Sequence, residues 1–418
     1  MPMTIAEKIL ARHAGCDFVA PGEFILAQVD MTLANDITAP LAIEVFREAG
    51  GRKLIDPDRI ALVMDHFTPN KDIASAEQVR QSRAFALEQE IRFYFESDGI
   101  AHALLPEEGL IMPGQLVIGA DSHTCTYGAL GAFAIGVGST DVAAAWMTGR
   151  TWLRVPETVK VIYEGEFKPW VTAKDLILWT IGDLGTDGAN YQVLEFCGQG
   201  IRALSMDGRF TMANMAIEAG AKAGIVEVDD VTLAFLGEAL PDGWEVPKSD
   251  PDARYVGVRR CDVSRLEPLV ACPHSPANVK RVRQIDAPPI DQVVIGSCTN
   301  GRLEDLRLAA KVIRGKRVSP GTRLVVIPAT RRIYLEALRQ GILEDLVEAG
   351  GVICPPSCGP CLGGHLGILA RSERCLSTTN RNFVGRMGHP SSEVYLANPA
   401  VAAATAVAGR IVHPDEVV

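Results

Sequence analysis

Three cysteines have the type and spacing of an iron–sulfur site with one open position. Cys298 lies in a Gly-Ser-Cys-Thr-Asn run, and Cys358 and Cys361 form a Cys-Gly-Pro-Cys pair. Three thiolates leave one corner of a four-iron cubane without a protein ligand, whereas electron-transfer clusters are held by four cysteines. An iron with a vacant position can act as a Lewis acid on a hydroxyl or carboxylate oxygen. The spacing therefore points to catalysis and not to electron transfer.

Two other metal sites fit the same cysteines. Cys354, Cys358 and Cys361 form a Cys-x3-Cys-x2-Cys run, and Cys298 can supply a fourth ligand to a structural zinc ion. The run also resembles that of radical enzymes that use S-adenosylmethionine, which have three cysteines and again one open iron. Its position argues against a radical enzyme, because too little sequence follows Cys361 to build a β/α barrel. On spacing alone, all three sites stay open.

Polar clusters follow four short apolar runs along the chain. Such runs are typical of buried parallel strands that lead into helices. The runs and their clusters are 60–64 with Asp65 and His66, 116–119 with Asp121, Ser122 and His123, 293–295 with Cys298, and 352–354 with Cys358 and Cys361. In open α/β sheets, ligands bind beyond the carboxyl ends of the strands. We therefore expect the four clusters to converge on one cleft.

Two of these clusters combine a histidine with an aspartate. His66 follows Asp65, and His123 lies two residues after Asp121. A neighbouring carboxylate fixes the tautomer of an imidazole and tunes its pKa, so either pair can shuttle protons. A lone histidine is more often structural, but two Asp/His pairs at matching strand ends favour a functional role. His102 follows a further apolar run and has no comparable local signal.

A buried carboxylate and two arginines complete the polar candidates. Asn214 and Glu218 are four residues apart in a Met/Ala/Ile segment, so they share one face if the segment is helical. Burying a carboxylate alone is costly, and a structural ion pair with Lys222 is one solution. Arg381 and Arg386 are the best candidates for a dicarboxylate. A guanidinium group binds a carboxylate in a bidentate way that lysine cannot imitate.

The composition predicts several α/β domains and no nucleic-acid partner. The chain has 418 residues, of which 47% are hydrophobic, which is enough for two or three packed cores. The formal net charge is −10, and the sequence has no dense run of lysine and arginine. The N-terminus lacks an apolar segment of signal-peptide length, and apolar runs stay far below the ~20 residues that a bilayer needs. We therefore expect a cytoplasmic protein without membrane contact.

Segments rich in proline and aspartate predict the domain boundaries. They lie at 241–252 and at 272–289, and the second includes Ala287-Pro288-Pro289. A weaker boundary lies near Pro156. We therefore predict three domains, at residues 1–155, 156–285 and 286–418.

Taken together, these segments resemble the large subunits of 3-isopropylmalate dehydratase, within the aconitase superfamily, over essentially the whole chain. The resemblance rests on the Gly-Ser-Cys-Thr-Asn run, the Cys-Gly-Pro-Cys pair and the Asn-Arg-Asn-Phe run at 380–383 with Arg386. It implies an α/β fold of three α/β/α layered domains around a central iron–sulfur cluster cleft. It also implies a 4Fe-4S cluster with three cysteine ligands and one open iron, held by Cys298, Cys358 and Cys361. Cys354 has no ligand counterpart in the family.

The resemblance also implies roles for the remaining candidates. The expected catalytic residues are His66, His102, Asp121, His123 and Glu218, and the expected substrate-binding residues are Asn35, Asp65, Ser122, Asn214, Arg381 and Arg386. Asn35 stands where aconitase has glutamine and Thr126 where it has asparagine, and both differences disfavour citrate. The implied reaction is a hydro-lyase step of leucine biosynthesis, in which dehydration and rehydration interconvert 2-isopropylmalate and 3-isopropylmalate.

The resemblance further implies a partner. Single-chain aconitases continue into another domain that supplies a serine base and an arginine, whereas this sequence ends shortly after Arg386. We expect a separate small subunit to supply these groups, and the isolated chain to be nearly inactive. Homoaconitase large subunits and other hydroxy-dicarboxylate dehydratases share the motifs and are alternatives. A cluster-free RNA-binding protein is a further alternative, which the acidic balance opposes.

Overall fold

The computed structural model describes residues 1–286 and 288–418, so that Ala287 of the expected linker lies outside the described residues. The strands are β1 Phe24–Gln28, β2 Met31–Asn35, β3 Ile60–Met64, β4 Phe93–Glu96, β5 Leu116–Gly119, β6 Phe133–Gly136, β7 Arg150–Arg154, β8 Thr158–Glu164, β9 Val193–Cys197, β10 Ala223–Val226, β11 Gly257–Asp262, β12 Leu269–Ala271, β13 Val279–Arg281, β14 Gln292–Gly296, β15 Arg323–Ile327, β16 Val352–Ile353, β17 Arg374–Ser377 and β18 Glu393–Ala397.

The α-helices are α1 Ile5–Ala14, α2 Ala39–Glu48, α3 Ile73–Glu88, α4 Ala101–Glu107, α5 Ser139–Thr148, α6 Ala173–Leu184, α7 Gln199–Arg202, α8 Met206–Asn214, α9 Asp230–Leu236, α10 Ser297–Asn300, α11 Leu303–Ile313, α12 Arg331–Arg339, α13 Ile342–Glu348 and α14 Pro399–Ala408. Short 3-10 segments lie at Pro57–Arg59, Ser122–Leu130, Met215–Ala219, Gly237–Ala239, Val263–Arg265, Val282–Gln284, Gly359–Leu362 and Pro414–Glu416. No helix within the described residues has both the length and the apolar composition needed to cross a bilayer.

The first large sheet has the strand order β4-β3-β2-β5-β6 and is parallel throughout. Helices cover both of its faces. Phe46 of α2, Phe85 of α3 and Trp146 of α5 pack together on one face, and Phe210 of α8 shares a core with Leu33 on the other. All five residues of β3 are buried, because a parallel strand covered on both faces has no solvent side.

Two further sheets follow along the chain. The second, β10-β9-β8-β11, is parallel, and the third, β13-β12-β18-β17-β14-β15-β16, is mixed because β12 runs antiparallel to β13 and β18. Val161 of β8, Val294 of β14 and Leu178 of α6 belong to one core, which joins the second and third sheets. Helices α11 and α14 cover the other side of the third sheet, with Leu306 and Val401 fully buried. These layers confirm the predicted α/β class.

The sheet composition refines the expected division of the chain. The first sheet lies within residues 1–155 and the second within 156–285. Strands β12 and β13 also precede residue 286, yet they pair into the third sheet. The three domains stay a prediction, and these two strands indicate that the last boundary lies before β12. A small antiparallel sheet of β1 and β7 joins the start and the end of the first segment.

Candidate active site

The predicted polar clusters meet in one cavity of about 220 Å3. Its polar and cysteine lining comes from the ends of β2, β3, β5 and β14, from α4 and from two loops of the third sheet: Asn35, Thr38, His66, His102, Asp121, Ser122, His123, Cys298, Cys358, Cys361, Arg381 and Arg386. Ile37, Ala120 and Leu362 complete it. The convergence expected from strand-end clusters is therefore observed.

Asp121 lies at the centre of the histidine side of this cavity. Its Oδ1 is 3.1 Å from Nε2 of His102, and its Oδ2 is 3.7 Å from Nε2 of His66. Nδ2 of Asn35 and the backbone N–H of His123 also donate to this carboxylate. Burial alone would raise the pKa of Asp121, but the facing imidazoles, led by His102, hold it well below its usual range. Asp121 is therefore a carboxylate that orients the surrounding imidazoles.

Two buried aspartates fix His66. Nδ1 of His66 lies 2.6 Å from Oδ1 of Asp65, and the other oxygen of Asp65 accepts the backbone N–H of Ala101 at the start of α4. Asp36 accepts the backbone N–H groups of His66 and Phe67 at 3.0 and 2.6 Å. Burial acts to lower the pKa of His66, but the electrostatic interactions with Cys358 and Asp65 outweigh it and raise that pKa well above its usual value.

His123, Glu218 and Arg381 form a second network next to Asp121, whose Oδ1 lies 3.8 Å from Nδ1 of His123. Oε1 of Glu218 accepts from Nε2 of His123 at 2.8 Å, and Nε of Arg381 donates to Oε2 of the same carboxylate at 3.0 Å. Burial would raise the pKa of Glu218, but His123 and Arg381 lower it. Burial, with the charge of Arg381, lowers the pKa of His123 to about 4. His123 is thus a neutral imidazole whose Nε2 proton is held by Glu218 and whose Nδ1 is left for an acceptor role.

The three cysteines present the donor set that a cluster requires. Cys298, Cys358 and Cys361 are buried and line the same cavity. Nδ2 of Asn214 and Nδ2 of Asn380 donate to Sγ of Cys298 at 3.2 and 3.4 Å. N–H donors at sulfur are a common means of tuning Fe–S clusters. Burial raises the pKa of Cys298 to about 12, so that iron binding must displace its proton.

The backbone beside Cys298 is held in an uncommon conformation. Ser297 has a φ of +72°, in the left-handed region that non-glycine residues rarely adopt. Gly296 before it has a φ of +151°, and a Cβ there would lie 2.5 Å from the carbonyl oxygen of Ile327. Strain of this kind persists only where the surroundings over-determine it, and it concentrates at functional sites. The strained turn directs Cys298 into the cavity.

Cys354 does not line this cavity. It is buried in the apolar core that also contains Ile327 and Leu369, and burial raises the pKa of its thiol. Cys354 therefore lies apart from the cavity that Cys298, Cys358 and Cys361 line, whereas the zinc and radical-cluster alternatives both use it as a ligand.

Three predicted site residues lie behind the lining. Asp65 contacts His66, Asn214 contacts Cys298, and Glu218 contacts His123, but none of the three lines the cavity. Asn214 is the last residue of α8, and Glu218 lies in the 3-10 segment Met215–Ala219, so the two do not share one α-helical face. Glu218 does not pair with Lys222 either, because Nζ of Lys222 lies 5.0 Å from the centroid of the Tyr191 ring.

The sequence analysis missed several residues that hold the site. Asp36 directly follows Asn35 at the end of β2, so the strand-end argument could have found it. Asn380 stands out in the sequence only as part of the Asn-Arg-Asn-Phe run, although its side chain contacts Cys298, Cys361 and Asn214. Their partners come from other segments, and no local spacing reveals such contacts.

Comparisons with known proteins now identify the group to which the chain belongs. The sequence model of the aconitase family (aconitate hydratase) matches residues 7–288 and 278–409. The chain belongs to the aconitase family. It is 60% identical to the 3-isopropylmalate dehydratase large subunit 1 of Pyrococcus furiosus, over 100% of this chain and 99% of that relative. It is 61% identical to the 3-isopropylmalate dehydratase large subunit of Moorella thermoacetica, over 100% of both chains.

Among solved structures, aconitase X of Thermococcus kodakaraensis (holo-form) aligns with 85% of this chain and 84% of its own, at 16% identity and a TM-score of 0.48. Membership of the aconitase family makes the chain a hydro-lyase and implies a 4Fe-4S cluster. The buried cysteines and their amide donors fit such a cluster.

Proposed function

We propose that this chain is the large, cluster-bearing subunit of a 3-isopropylmalate dehydratase, and that it interconverts 2-isopropylmalate and 3-isopropylmalate in leucine biosynthesis. Its relatives of that name match it over its full length at about 60% identity. The observation that carries the proposal is the meeting of three cysteines, three histidines and two arginines in one cavity. These are the groups that a reversible dehydration of a hydroxy-dicarboxylate needs.

In this proposal Cys298, Cys358 and Cys361 hold a 4Fe-4S cluster. When bound, the cluster supplies an open iron that acts as a Lewis acid on a hydroxyl oxygen. Asn214 and Asn380 hold Cys298 in place through their N–H groups. The remaining steps belong to the polar side chains of the cavity.

Arg381 and Arg386 bind the carboxylates of the substrate. Arg381 is held by Glu218 and by Oγ of Ser122, which accepts from its Nη1 at 3.0 Å. Nε of Arg386 is buried and has no hydrogen-bond partner among the described residues, so it is available to a ligand. Two fixed guanidinium groups in one cavity match a dicarboxylate.

In this proposal the histidines transfer protons to and from the substrate. Asp121 orients His102, whose Nδ1 is buried without a partner within residues 1–286 and 288–418. His102 or His123 assists the departure and return of the hydroxyl group; neutral His123 takes a proton at Nδ1 from the returning water, and its protonated form gives that proton back when the hydroxyl group leaves. His66 supports them through Asp65 and Asp121. Asp65, Asn214 and Glu218 act as positioning residues in this scheme, since they contact the lining and not the cavity.

A separate small subunit completes the enzyme in this proposal. The relatives are named large subunits, which implies a smaller partner. The proposed partner contributes the base that removes the proton next to the carboxylate, and the contacts that recognise the side chain of the substrate. The isolated chain is then expected to be nearly inactive.

The test has two stages, both on anaerobically prepared protein. Iron and sulfide content and electron paramagnetic resonance come first, and a three-iron signal should appear after mild oxidation and vanish when ferrous ion is added. The chain is then combined with the small subunit of its own organism and assayed with isopropylmalate, homocitrate, citraconate and cis-aconitate. Preference for isopropylmalate supports the proposal, and preference for homocitrate replaces it with the homoaconitase alternative. Bound zinc would overturn both.

A further inference from the structure

Lys174 is a lysine in the interior of the protein that the proposed chemistry does not use. It lies in the first turn of α6 and has a solvent exposure of 0%, as do Leu176, Ile177 and Leu178 after it. Lysine is almost never fully buried unless it is paired, because its charge loses hydration. Its presence in an apolar helix therefore requires strong partners.

These partners are three oxygen atoms. Nζ of Lys174 donates to the carbonyl oxygens of Thr378 and Thr379, each at 2.7 Å, and to Oδ1 of Asn300 at 3.2 Å. Three acceptors match the three protons of an ammonium group, whereas a neutral amine has only two. Burial lowers the pKa of Lys174 to about 7 against the opposing charge of Asp305. The acceptor count favours the charged form.

The partners belong to two segments that carry site residues. Asn300 follows Cys298 by two residues and ends the same short helix, α10. Thr379 directly precedes Asn380 and Arg381. Lys174 thus joins the cysteine-bearing segment to the segment that carries an amide donor and a substrate-binding arginine.

The pairing of β14 with β17 and the hydrogen bonds of the Thr378 hydroxyl with Gly296 also join these segments, and beyond them the two segments meet at sulfur. Nδ2 of Asn380 lies 3.4 Å from Sγ of Cys298, and Sγ of Cys361 lies 3.5 Å from Oδ1 of Asn380. A displacement of the Asn380 segment would change both of these distances, and a displacement of the Cys298 segment would change the first. Among the described residues, no other positively charged side chain donates hydrogen bonds to Oδ1 of Asn300 and to the carbonyl oxygens of Thr378 and Thr379.

We propose that Lys174 is a positioning residue of the cluster site, which fastens the Cys298 segment to the Asn380–Arg381 segment and so fixes the amide donors at sulfur and the guanidinium of Arg381. Lys174 does not line the cavity, and its ammonium group donates to oxygen atoms and not to the sulfur atoms of the cysteines. The inference rests on the proposed function, since it concerns retention of iron and binding of a dicarboxylate. It assigns to Lys174 a role in the site that is distinct from packing.

Packing alone is the competing explanation, and Leu178 supplies the matched control. Leu178 lies one turn after Lys174 on α6 and is equally buried, in an apolar core. Leu178→Ala removes packing without removing a hydrogen bond. Lys174→Met keeps most of the volume and removes all three hydrogen bonds. Lys174→Arg keeps the charge, and the neighbouring cavity of about 320 Å3, which Lys174 borders, gives the longer side chain room.

The experiment compares the four proteins, each loaded with cluster and combined with the small subunit. It measures the rate of ferrous ion release under mild oxidation, the spectrum of the three-iron form, KM and kcat. Outer-sphere partners of metal sites typically change affinity or activity by 10–100-fold. Lys174→Met is therefore expected to release iron about 10-fold faster and to have a KM about 10-fold higher. Lys174→Arg should recover part of both, and Leu178→Ala should only lower the unfolding temperature.

Two results would overturn the proposal. One is iron release and KM in Lys174→Met within about twofold of the unaltered protein. The other is the same change in Leu178→Ala. If Lys174→Met does not fold, Lys174→Gln takes its place. If neither variant folds while Leu178→Ala does, Lys174 is needed for folding, and the positioning role is rejected. Iron release needs no substrate, so it separates this test from failure of the proposed function, which shows as no turnover by the unaltered pair.

Discussion

Nε2 of His123 and Nε of Arg381 bind one carboxylate, that of Glu218: His123 contacts Oε1 at 2.8 Å, and Arg381 contacts Oε1 at 2.9 Å and Oε2 at 3.0 Å. A proton-transfer group and a substrate-binding group therefore share one anchor. Glu218 is buried and does not line the cavity, so its effect on the reaction passes through these two side chains.

Glu218→Gln should change KM and kcat together. The amide keeps one oxygen for His123 but cannot pair with the charge of Arg381, so the arginine loses its orientation. We expect kcat/KM to fall by about 10–100-fold, as for other outer-sphere partners, with iron content unchanged. Steady-state kinetics of the reconstituted pair checks this. A variant that loses iron in proportion to activity would instead place Glu218 in the support of the cluster.

His123→Ala should lower turnover by about 10²-fold or more, because general acid–base catalysis contributes at that level. Since burial and Arg381 lower the pKa of His123 to about 4, the imidazole is neutral at neutral pH. No loss of activity from its protonation is expected until the pH falls toward 4. The check is kcat against pH for both proteins, with iron content measured in parallel. An unchanged rate with the cluster intact would remove His123 from the mechanism.

Cys354→Ala should leave the iron content unchanged, whereas Cys298→Ala should abolish it. Cys354 packs in an apolar core away from the cavity, so its removal should leave iron and sulfide content unchanged. Cys298 receives two amide hydrogen bonds in the cavity, and its removal should abolish cluster binding. Metal analysis and electron paramagnetic resonance provide the measurement. Loss of metal from Cys354→Ala would restore the four-ligand alternatives.

The ion pair of Arg209 and Asp229 should make the free energy of unfolding depend on pH in the acidic range. Arg209 is fully buried, and it binds both oxygens of Asp229. Burial would raise the pKa of Asp229, but Arg209 lowers it below its ordinary value of 3.8. The folded carboxyl has the lower pKa, so its contribution is present above about pH 4 and is lost as the pH falls below that value.

Urea unfolding of the unaltered chain and of Asp229→Asn tests this sign. The variant should be less stable at pH 7, because a buried guanidinium loses its partner. It should also show a smaller decrease in the free energy of unfolding between pH 5 and pH 3. Parallel curves for the two proteins over that range would show that Asp229 does not contribute the expected linkage.

The sequence predicts the strands of this fold better than the contacts between them. The apolar runs at 60–64 and 116–119 match β3 and β5, because strands buried on both faces have a continuous signal. Convergence of the strand-end residues follows from the parallel topology. The ion pair of Glu218 with Arg381 does not follow from the topology. Arg381 is 163 residues away from Glu218, and local spacing predicts Lys222 as the partner instead.

Lys174 illustrates the same limit. Glu218 is a charged residue within an apolar segment, and Lys174 has similarly apolar neighbours in the sequence. The acceptors of Lys174 include two backbone carbonyls, which have no sequence signature, and they lie about 200 residues away. Fold class and most of the site lining can therefore be predicted from residue types, whereas the supporting hydrogen bonds require coordinates.

The order of the site residues along the chain has a consequence for how the protein is made. The first sheet, with His66, Asp121 and His123 at its strand ends, is complete before the ribosome has added Cys298, and Cys361 follows later still. Domains generally fold as units from the N-terminus during synthesis. The histidine side of the cavity is therefore in place before the thiolate side exists, and an iron–sulfur cluster can reach all three cysteines only after Cys361 has been added.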